Sequence, residues 1–250
     1  MNPPGGNDLL VEARAVLLDA LEALTIQRDA VIVIGAQAVY LHTGAAQVAL
    51  AEATKDSDLA LDPRLLHDDP LPENAMRSAG FSPHVSGQPG AWINPRGIPV
   101  DLMVPEELAG TGSRGARGAR IPPHSRRATR RAVGLEAAIV DNSPVDICAL
   151  HPSDSRIYTA RVAGPAALLV AVPTPQLAST LCDLTVNPIS EDVTHKALEY
   201  LDQHFAQGPR ALGSTMAGRA EEGIGDPEQV AAGVSLLAAD ALEAFRAIRS

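Results

Sequence analysis

Two aspartates separated by one residue, Asp56 and Asp58, are the strongest chemical feature of this sequence. If the stretch from Ser57 to Leu61 is a β-strand, alternation places both carboxylates on one face, about 7 Å apart along the backbone. Carboxylates that converge on one point repel each other unless a cation lies between them, and Mg²⁺ is the usual occupant of an all-oxygen site that faces a phosphate. The pair therefore predicts a metal site for phosphate chemistry.

A strand, a glycine and a helix precede this pair. The run from Ala30 to Ile34 is apolar and β-branched, which predicts a strand buried on both faces. Gly35 ends it, and helical spacing resumes from Ala36 to about Thr43. Glycine allows close approach of the backbone, and a helix N-terminus offers free N–H groups to an anion. This corner is suited to a phosphate.

A third carboxylate comes later in the chain. Asp101 is the lone charge inside the apolar run from Ile98 to Val104, which predicts a strand. With Asp56 and Asp58 it could place three carboxylates around two metal ions about 3.5–4 Å apart, as in-line phosphoryl or nucleotidyl transfer requires. Asp146 lies in a similar run, Val145 to Leu150, and is an alternative third ligand.

The elements that must position these residues alternate between strands and helices. Leucines at helical spacing predict a first helix from Asn7 to about Leu24. Further strands are predicted at 91–93, 98–104, 135–140, 145–150 and 157–162, and further helices at 72–79, 192–205, 210–222 and 227–248. We expect an α+β fold, with a mixed β-sheet flanked by helices in residues 1–162 and an α-helical part in residues 163–250.

The amino-acid composition limits the classes of protein to which this chain can belong. The 250 residues are 46% hydrophobic with a formal net charge of −10, which predicts an aliphatic globular core and excludes a whole-surface attraction to nucleic acid. Cys148 and Cys182 lack metal-ligand spacing, and buried thiols are expected. Neither a leader nor an apolar run of membrane-spanning length is evident, so a cytoplasmic protein without membrane association is expected.

One segment departs from the acidic average. From Thr111 to Ala132 the chain holds seven arginines and no acidic residue, namely Arg114, Arg117, Arg120, Arg126, Arg127, Arg130 and Arg131. We expect an excursion from the sheet, either a solvated loop or a place where an RNA backbone or a triphosphate binds.

The pattern as a whole resembles the nucleotidyltransferase superfamily with the DNA-polymerase-β-like fold. Three sequence segments are most similar to the AbiEii-type toxin branch of toxin-antitoxin systems. They run from Ile34 to His42, from Thr54 to Leu59 and from Val100 to Leu102. The resemblance implies transfer of a nucleotide from a nucleoside triphosphate to an acceptor, such as tRNA or a protein, and a cognate antitoxin encoded alongside.

The resemblance also implies roles for particular residues. Asp56 and Asp58 would hold two Mg²⁺ ions, and Asp101 would complete the site or activate the attacking hydroxyl. The backbone at Gly35 and Ala36, together with Thr54 and Arg96, would contact the nucleotide. A tRNA would meet the basic segment from Arg114 to Arg131.

Two departures from the family pattern keep an alternative open. Position 36 is alanine, which removes a side-chain contact to phosphate, and no basic residue occurs between Arg161 and Lys196, where the resemblance implies a lysine. The alternative is a catalytically inactive protein that keeps the fold as a binding or interaction module. A kinase-like or hydrolytic use of the same site is a third hypothesis.

Overall fold

The structure is a computed structural model, and it describes residues 6–43, 56–111, 117–164, 174–220 and 226–249. The described residues up to 164 form one compact unit, and those from 174 onward form a second. The boundary that the sequence predicts, after residue 162, falls one residue before the end of the last strand of the first unit.

The first unit combines four helices and eight strands in its described residues. In chain order they are α1 (Gly6–Ala23), β1 (Val31–Ile34), α2 (Gly35–Thr43), β2 (Ser57–Leu61), α3 (Pro72–Ser78), β3 (Ser82–Pro83), β4 (Ala91–Ile93), β5 (Pro99–Pro105), β6 (Arg130–Ala132), α4 (Glu136–Val140), β7 (Asn142–Cys148) and β8 (Ile157–Ala163).

The strands form a single mixed sheet. Its order is β3-β4-β5-β2-β1-β8-β7, and β6 pairs with β5 beside this path. Strand β2 lies between β1, to which it is antiparallel, and β5, to which it is parallel, whereas β1 is parallel to β8. The expectation of an α+β fold with a mixed sheet flanked by helices is confirmed.

The central strands are covered on both faces, as the apolar run of β1 predicts. On one face, Val31 and Val33 join the main core with α1, whose Val16, Leu17 and Leu21 are almost fully buried. On the other face, a smaller core contains Ile32, Ile34, Ala60, Met103, Ala138 and Ala163. Alternation along β2 and β5 therefore assigns Asp58 and Asp101 to the face of the smaller core.

The strand predicted at 135–140 is wrong, because these residues form the short helix α4. Ala138 packs in the smaller core, and the buried carboxylate of Glu136 accepts hydrogen bonds from the backbone N–H groups of Gly134 and Glu107, at 3.1 and 3.2 Å. A short apolar run has no periodicity long enough to separate strand from helix, and here tertiary packing decided.

The basic segment is not wholly an excursion from the sheet. Its described part, 117–132, ends in β6, which pairs in parallel with β5 at Met103, Val104 and Pro105. Ala119 and Ile121 of the preceding loop belong to the main core, and Ala128 is buried as well. The expectation is wrong for residues 130–132, which join the sheet, whereas residues 119–129 form a loop outside the strands.

The second unit is helical, as predicted. It contains α5 (Thr174–Val186), α6 (Glu191–Leu201), a π-helical turn (Asp202–Ala206), α7 (Leu212–Ala220) and α8 (Pro227–Arg249). Its core consists of Ala178, Leu181, Leu198, Leu242 and Phe245. None of the helices in the described ranges is long and apolar enough to cross a membrane.

The cysteines differ in environment. Cys148, at the end of β7, is exposed, and Cys182 on α5 is partly buried. The expectation of a buried thiol is wrong for Cys148, because it lies on an edge strand whose outer face is uncovered.

Candidate functional site

Alternation along β2 separates the two aspartates from the serine between them. Ser57 is fully buried, and its hydroxyl donates a hydrogen bond of 3.3 Å to the carbonyl oxygen of Ala13 on α1. Asp56 and Asp58 are partly exposed and point away from α1. Packing of Ser57 against α1 thus turns both carboxylates toward the opposite face.

Strand pairing brings the third carboxylate to the same place. Asp58 on β2 is in register with Asp101 on the adjacent parallel strand β5. Paired residues on neighbouring strands lie about 4.8 Å apart and point to the same face. The sequence prediction that Asp101 lies on a strand next to the Asp-x-Asp strand is confirmed.

Gly35 lies directly against Asp58. Ile34, the last residue of β1, pairs with Asp58 across the antiparallel ladder, and the chain then turns at Gly35 with a φ of +63°. A Cβ atom at this position would collide with the carboxylate of Asp58. Glycine is therefore required twice, for its backbone angle and for the space that the carboxylate occupies. Ala36 follows in the first turn of α2.

Like charges and burial act together on Asp58. The pKa of its carboxyl group is raised from 3.8 to about 6, mainly by burial and then by the charges of Asp56 and Asp101, against an opposing decrease from Arg130. Burial also raises the pKa of Asp101, although the Arg130 guanidinium opposes this. The three carboxylates therefore form one electrostatic cluster that gains from a nearby cation.

One cation of the chain already occupies part of this cluster. The Nη2 atom of Arg130 on β6 donates a hydrogen bond of 2.6 Å to Oδ2 of Asp101 and lies 3.1 Å from the sulfur of Met103. The pair is mostly shielded, since the two side chains are 29% and 17% exposed. Asp101 is thus neutralised by a partner that the sequence prediction did not assign to the site.

The other residues that the sequence singled out lie elsewhere. Arg96 is 3.9 Å from Asp19 on α1, on the face of the sheet opposite to Asp58, and is not brought to the carboxylates. Asp146, on edge strand β7, accepts a hydrogen bond of 2.6 Å from Thr159. Thr54 and Arg114 lie outside the described residues.

Two residues near Asp101 were missed as site residues. In the sequence Arg130 is one charge of a basic run, and His84 belongs to no recognisable motif. His84 lowers the pKa of Asp101 and lines a cavity of about 210 Å³ with Arg77 and Arg127. No local pattern marks either residue, because both reach Asp101 through strand pairing that sequence spacing does not reveal.

The residues present are compatible with a divalent cation at Asp56 and Asp58. Carboxylate oxygens are the ligands that Mg²⁺ prefers, and the missing Cβ at position 35 leaves room for the Asp58 carboxylate to lie against the start of α2. Within the described ranges, no group of three or more His, Cys, Asp or Glu side chains is arranged to hold a metal ion. Asp101 is paired with Arg130, so Asp56 and Asp58 are the carboxylates of the cluster that could hold such an ion.

Comparison of the chain with protein-family models, with curated proteins and with solved structures gives no match in any of the three. Any functional conclusion therefore depends on the chemistry of the carboxylate cluster itself.

Proposed function

We propose that this protein is a Mg²⁺-dependent nucleotidyltransferase with the nucleotidyltransferase fold, of the AbiEii-like toxin type. The observation that supports the proposal most is the register between Asp58 and Asp101 on parallel strands, with Gly35 against the Asp58 carboxylate. Gly35 lies 23 positions before Asp58 in the sequence, and Asp101 lies 43 positions after it. Their convergence is what a site for phosphate transfer requires and what separate structural roles would not require.

The proposed reaction transfers a nucleotide to a hydroxyl. The acceptor oxygen forms a bond with the α-phosphorus of the nucleoside triphosphate, the bond from that phosphorus to the bridging oxygen breaks, and pyrophosphate leaves with the electron pair. The hydroxyl proton passes to the carboxylate of Asp101, whose burial makes it a stronger base than an ordinary aspartate. Asp56 and Asp58 would hold Mg²⁺, which neutralises triphosphate charge when it is bound.

The backbone around Gly35 would receive the phosphates. The first turn of α2 presents N–H groups and the positive end of the helix dipole beside the carboxylate cluster. Ala36 contributes a backbone contact only, because its side chain has no polar atom. A divalent cation and a helix N-terminus are both positive and would together offset part of the negative charge of a triphosphate.

An RNA acceptor, tRNA in particular, fits the basic segment. Among its described residues, Arg117, Arg120, Arg126 and Arg127 are exposed, whereas Arg130 and Arg131 pair with Asp101 and Glu106. The exposed arginines are held on a loop anchored in the core, so their charges have defined positions for a phosphate backbone. A cognate antitoxin is part of the same proposal, through the toxin-antitoxin resemblance.

The second candidate is an inactive protein that keeps the fold as a binding module. The ion pair between Arg130 and Asp101 favours it, because a guanidinium bound at 2.6 Å competes with a proton for the same carboxylate oxygen. The lack of any lysine or arginine in residues 162–195 points the same way.

Labelled nucleoside triphosphates distinguish the candidates. Label from the α-phosphate that stays on RNA or protein, and is lost in Asp58→Asn, supports a nucleotidyltransferase. Movement of the γ-phosphate alone indicates kinase chemistry, and no movement of either label supports the binding module. Asp146→Asn is the matched control, since it removes an exposed carboxylate of the same sheet outside the cluster.

A further inference from the structure

The position of Arg130 follows from strand pairing and not from a flexible loop. Its strand β6 pairs in parallel with β5, with Arg130 opposite Met103, and a bridge to Gly118 holds its other side. Because Asp101 is two residues before Met103 on β5, the side chains of all three residues lie on one face of the sheet. The guanidinium is therefore built into the site at a fixed location.

Its neighbour provides a contrast on the same strand. Arg131 points to the other face, where its guanidinium pairs with Glu106 at 2.9 Å. Alternation thus sends two adjacent, equally charged side chains to different partners. Of the two, Arg130 is the one whose charge affects the pKa values of Asp58 and Asp101.

We propose that Arg130 is a built-in cation of the carboxylate site, that it takes the place of a second metal ion, and that the site binds one divalent cation at Asp56 and Asp58. This inference deepens the proposed function and takes from it the expectation of a metal site. It replaces the two ions expected from the sequence by one ion and one guanidinium.

Charge balance supports a single ion. Three ionised carboxylates carry three negative charges, and the guanidinium of Arg130 leaves two, which one divalent cation neutralises. Asp101 is also withdrawn as a ligand, since its Oδ2 accepts the 2.6 Å hydrogen bond from Arg130.

The role of the guanidinium is to hold charge in place. A fixed cation beside Asp101 would lie next to the position of the triphosphate without having to bind from solution, and its planar donors suit phosphate oxygens. Arg130 is a positioning residue in this proposal, because its observed contact is with Asp101.

Calorimetric titration of the whole protein with Mn²⁺ at about pH 8, above the raised pKa of Asp58, measures the number of bound ions. We expect one ion for the wild type, none for Asp58→Asn, and two for Arg130→Gln. Arg130→Lys keeps the charge and should again bind one. Arg131→Gln removes the same charge from the adjacent residue and should also bind one. Fluorescence of Trp92 verifies that each variant is folded.

Two ions in the wild type, or one ion of unchanged affinity in folded Arg130→Gln, would overturn the inference, and so would a wild type that binds none. If Arg130→Gln does not fold, the wild-type stoichiometry and Arg130→Lys decide. Failure of the proposed function looks different: one ion in the wild type, two in Arg130→Gln, and no transfer of α-phosphate label. Transfer of label with two bound wild-type ions would refute the inference and leave the proposed function standing.

Discussion

Replacing Asp58 by asparagine should make the metal-free protein more stable at neutral pH, although Asp58 is central to the proposed site. The carboxyl group titrates near pH 6 in the folded protein and near 3.8 in an unfolded chain. Well below its unfolded value of 3.8 the group is protonated in both states, so it does not affect stability there. Between the two values only the unfolded state ionises, and the folded state loses stability as the pH rises.

The size of the effect follows from the two pKa values. A difference of about 2.2 pH units at 1.36 kcal/mol per unit gives at most about 3 kcal/mol above pH 6. Solvent reaches the partly exposed carboxylate, so about 1–3 kcal/mol is expected. Asparagine keeps the shape of the side chain and removes the charge, so Asp58→Asn should recover this free energy at about pH 8 and only a small part of it at about pH 4.

Trp92 makes the assay specific to the sheet. It is the one tryptophan of the chain, lies on β4, and is 1% exposed, with its Nε1–H donating to the carbonyl oxygen of Ala128 at 3.0 Å. Urea titrations followed by its fluorescence therefore report unfolding of the first unit. Asp146→Asn, the exposed control, should shift the free energy of unfolding by less than about 0.5 kcal/mol at every pH.

A wild type and an Asp58→Asn variant of equal stability at about pH 8 would refute the reasoning, because burial and like charge would then not disfavour the carboxylate. A difference that stays constant from pH 4 to pH 8, roughly the range set by the two pKa values, would also contradict it, since it would point to a cause other than titration.

Three further outcomes are expected from the same unit. Mg²⁺ should stabilise the wild type, by about 2.7 kcal/mol at one hundred times its dissociation constant, and should leave Asp58→Asn unchanged; equal stabilisation of both would place the ion elsewhere. Gly35→Ala should lower the free energy of unfolding more than Gly97→Ala. Both glycines have positive φ values, which cost an alanine roughly 1–2 kcal/mol at either position. Of the two, only Gly35 has a carboxylate where the new Cβ would lie. Urea titration of the two variants should rank them in that order, and the reverse order would contradict the packing. Glu136→Ala should cost roughly 2–4 kcal/mol by leaving two backbone N–H groups unpaired, whereas exposed Glu107→Ala should be near neutral in thermal unfolding.

Local patterns in the sequence determined most of the helices and strands, and they indicated Gly35 and Asp58 as residues of the site. The apolar run before Gly35, the strand that carries Asp58, and the C-terminal helices are confirmed, because hydrophobic periodicity and glycine reflect conformational preferences over a few residues. The alternation that separates Ser57 from its neighbouring aspartates is likewise a local property.

Tertiary structure alone decided the partners of Asp101. Its register with Asp58 spans 43 positions of the numbering, and its ion pair with Arg130 spans 29. Such pairing depends on which strands become neighbours, and many registers are compatible with the same local patterns. Helix α4 was predicted as a strand for the same reason. Its Ala138 packs in the smaller core, which forms only when distant strands come together. The sequence therefore indicated the carboxylates of the site, whereas the arginine that balances their charge was identified only from the fold.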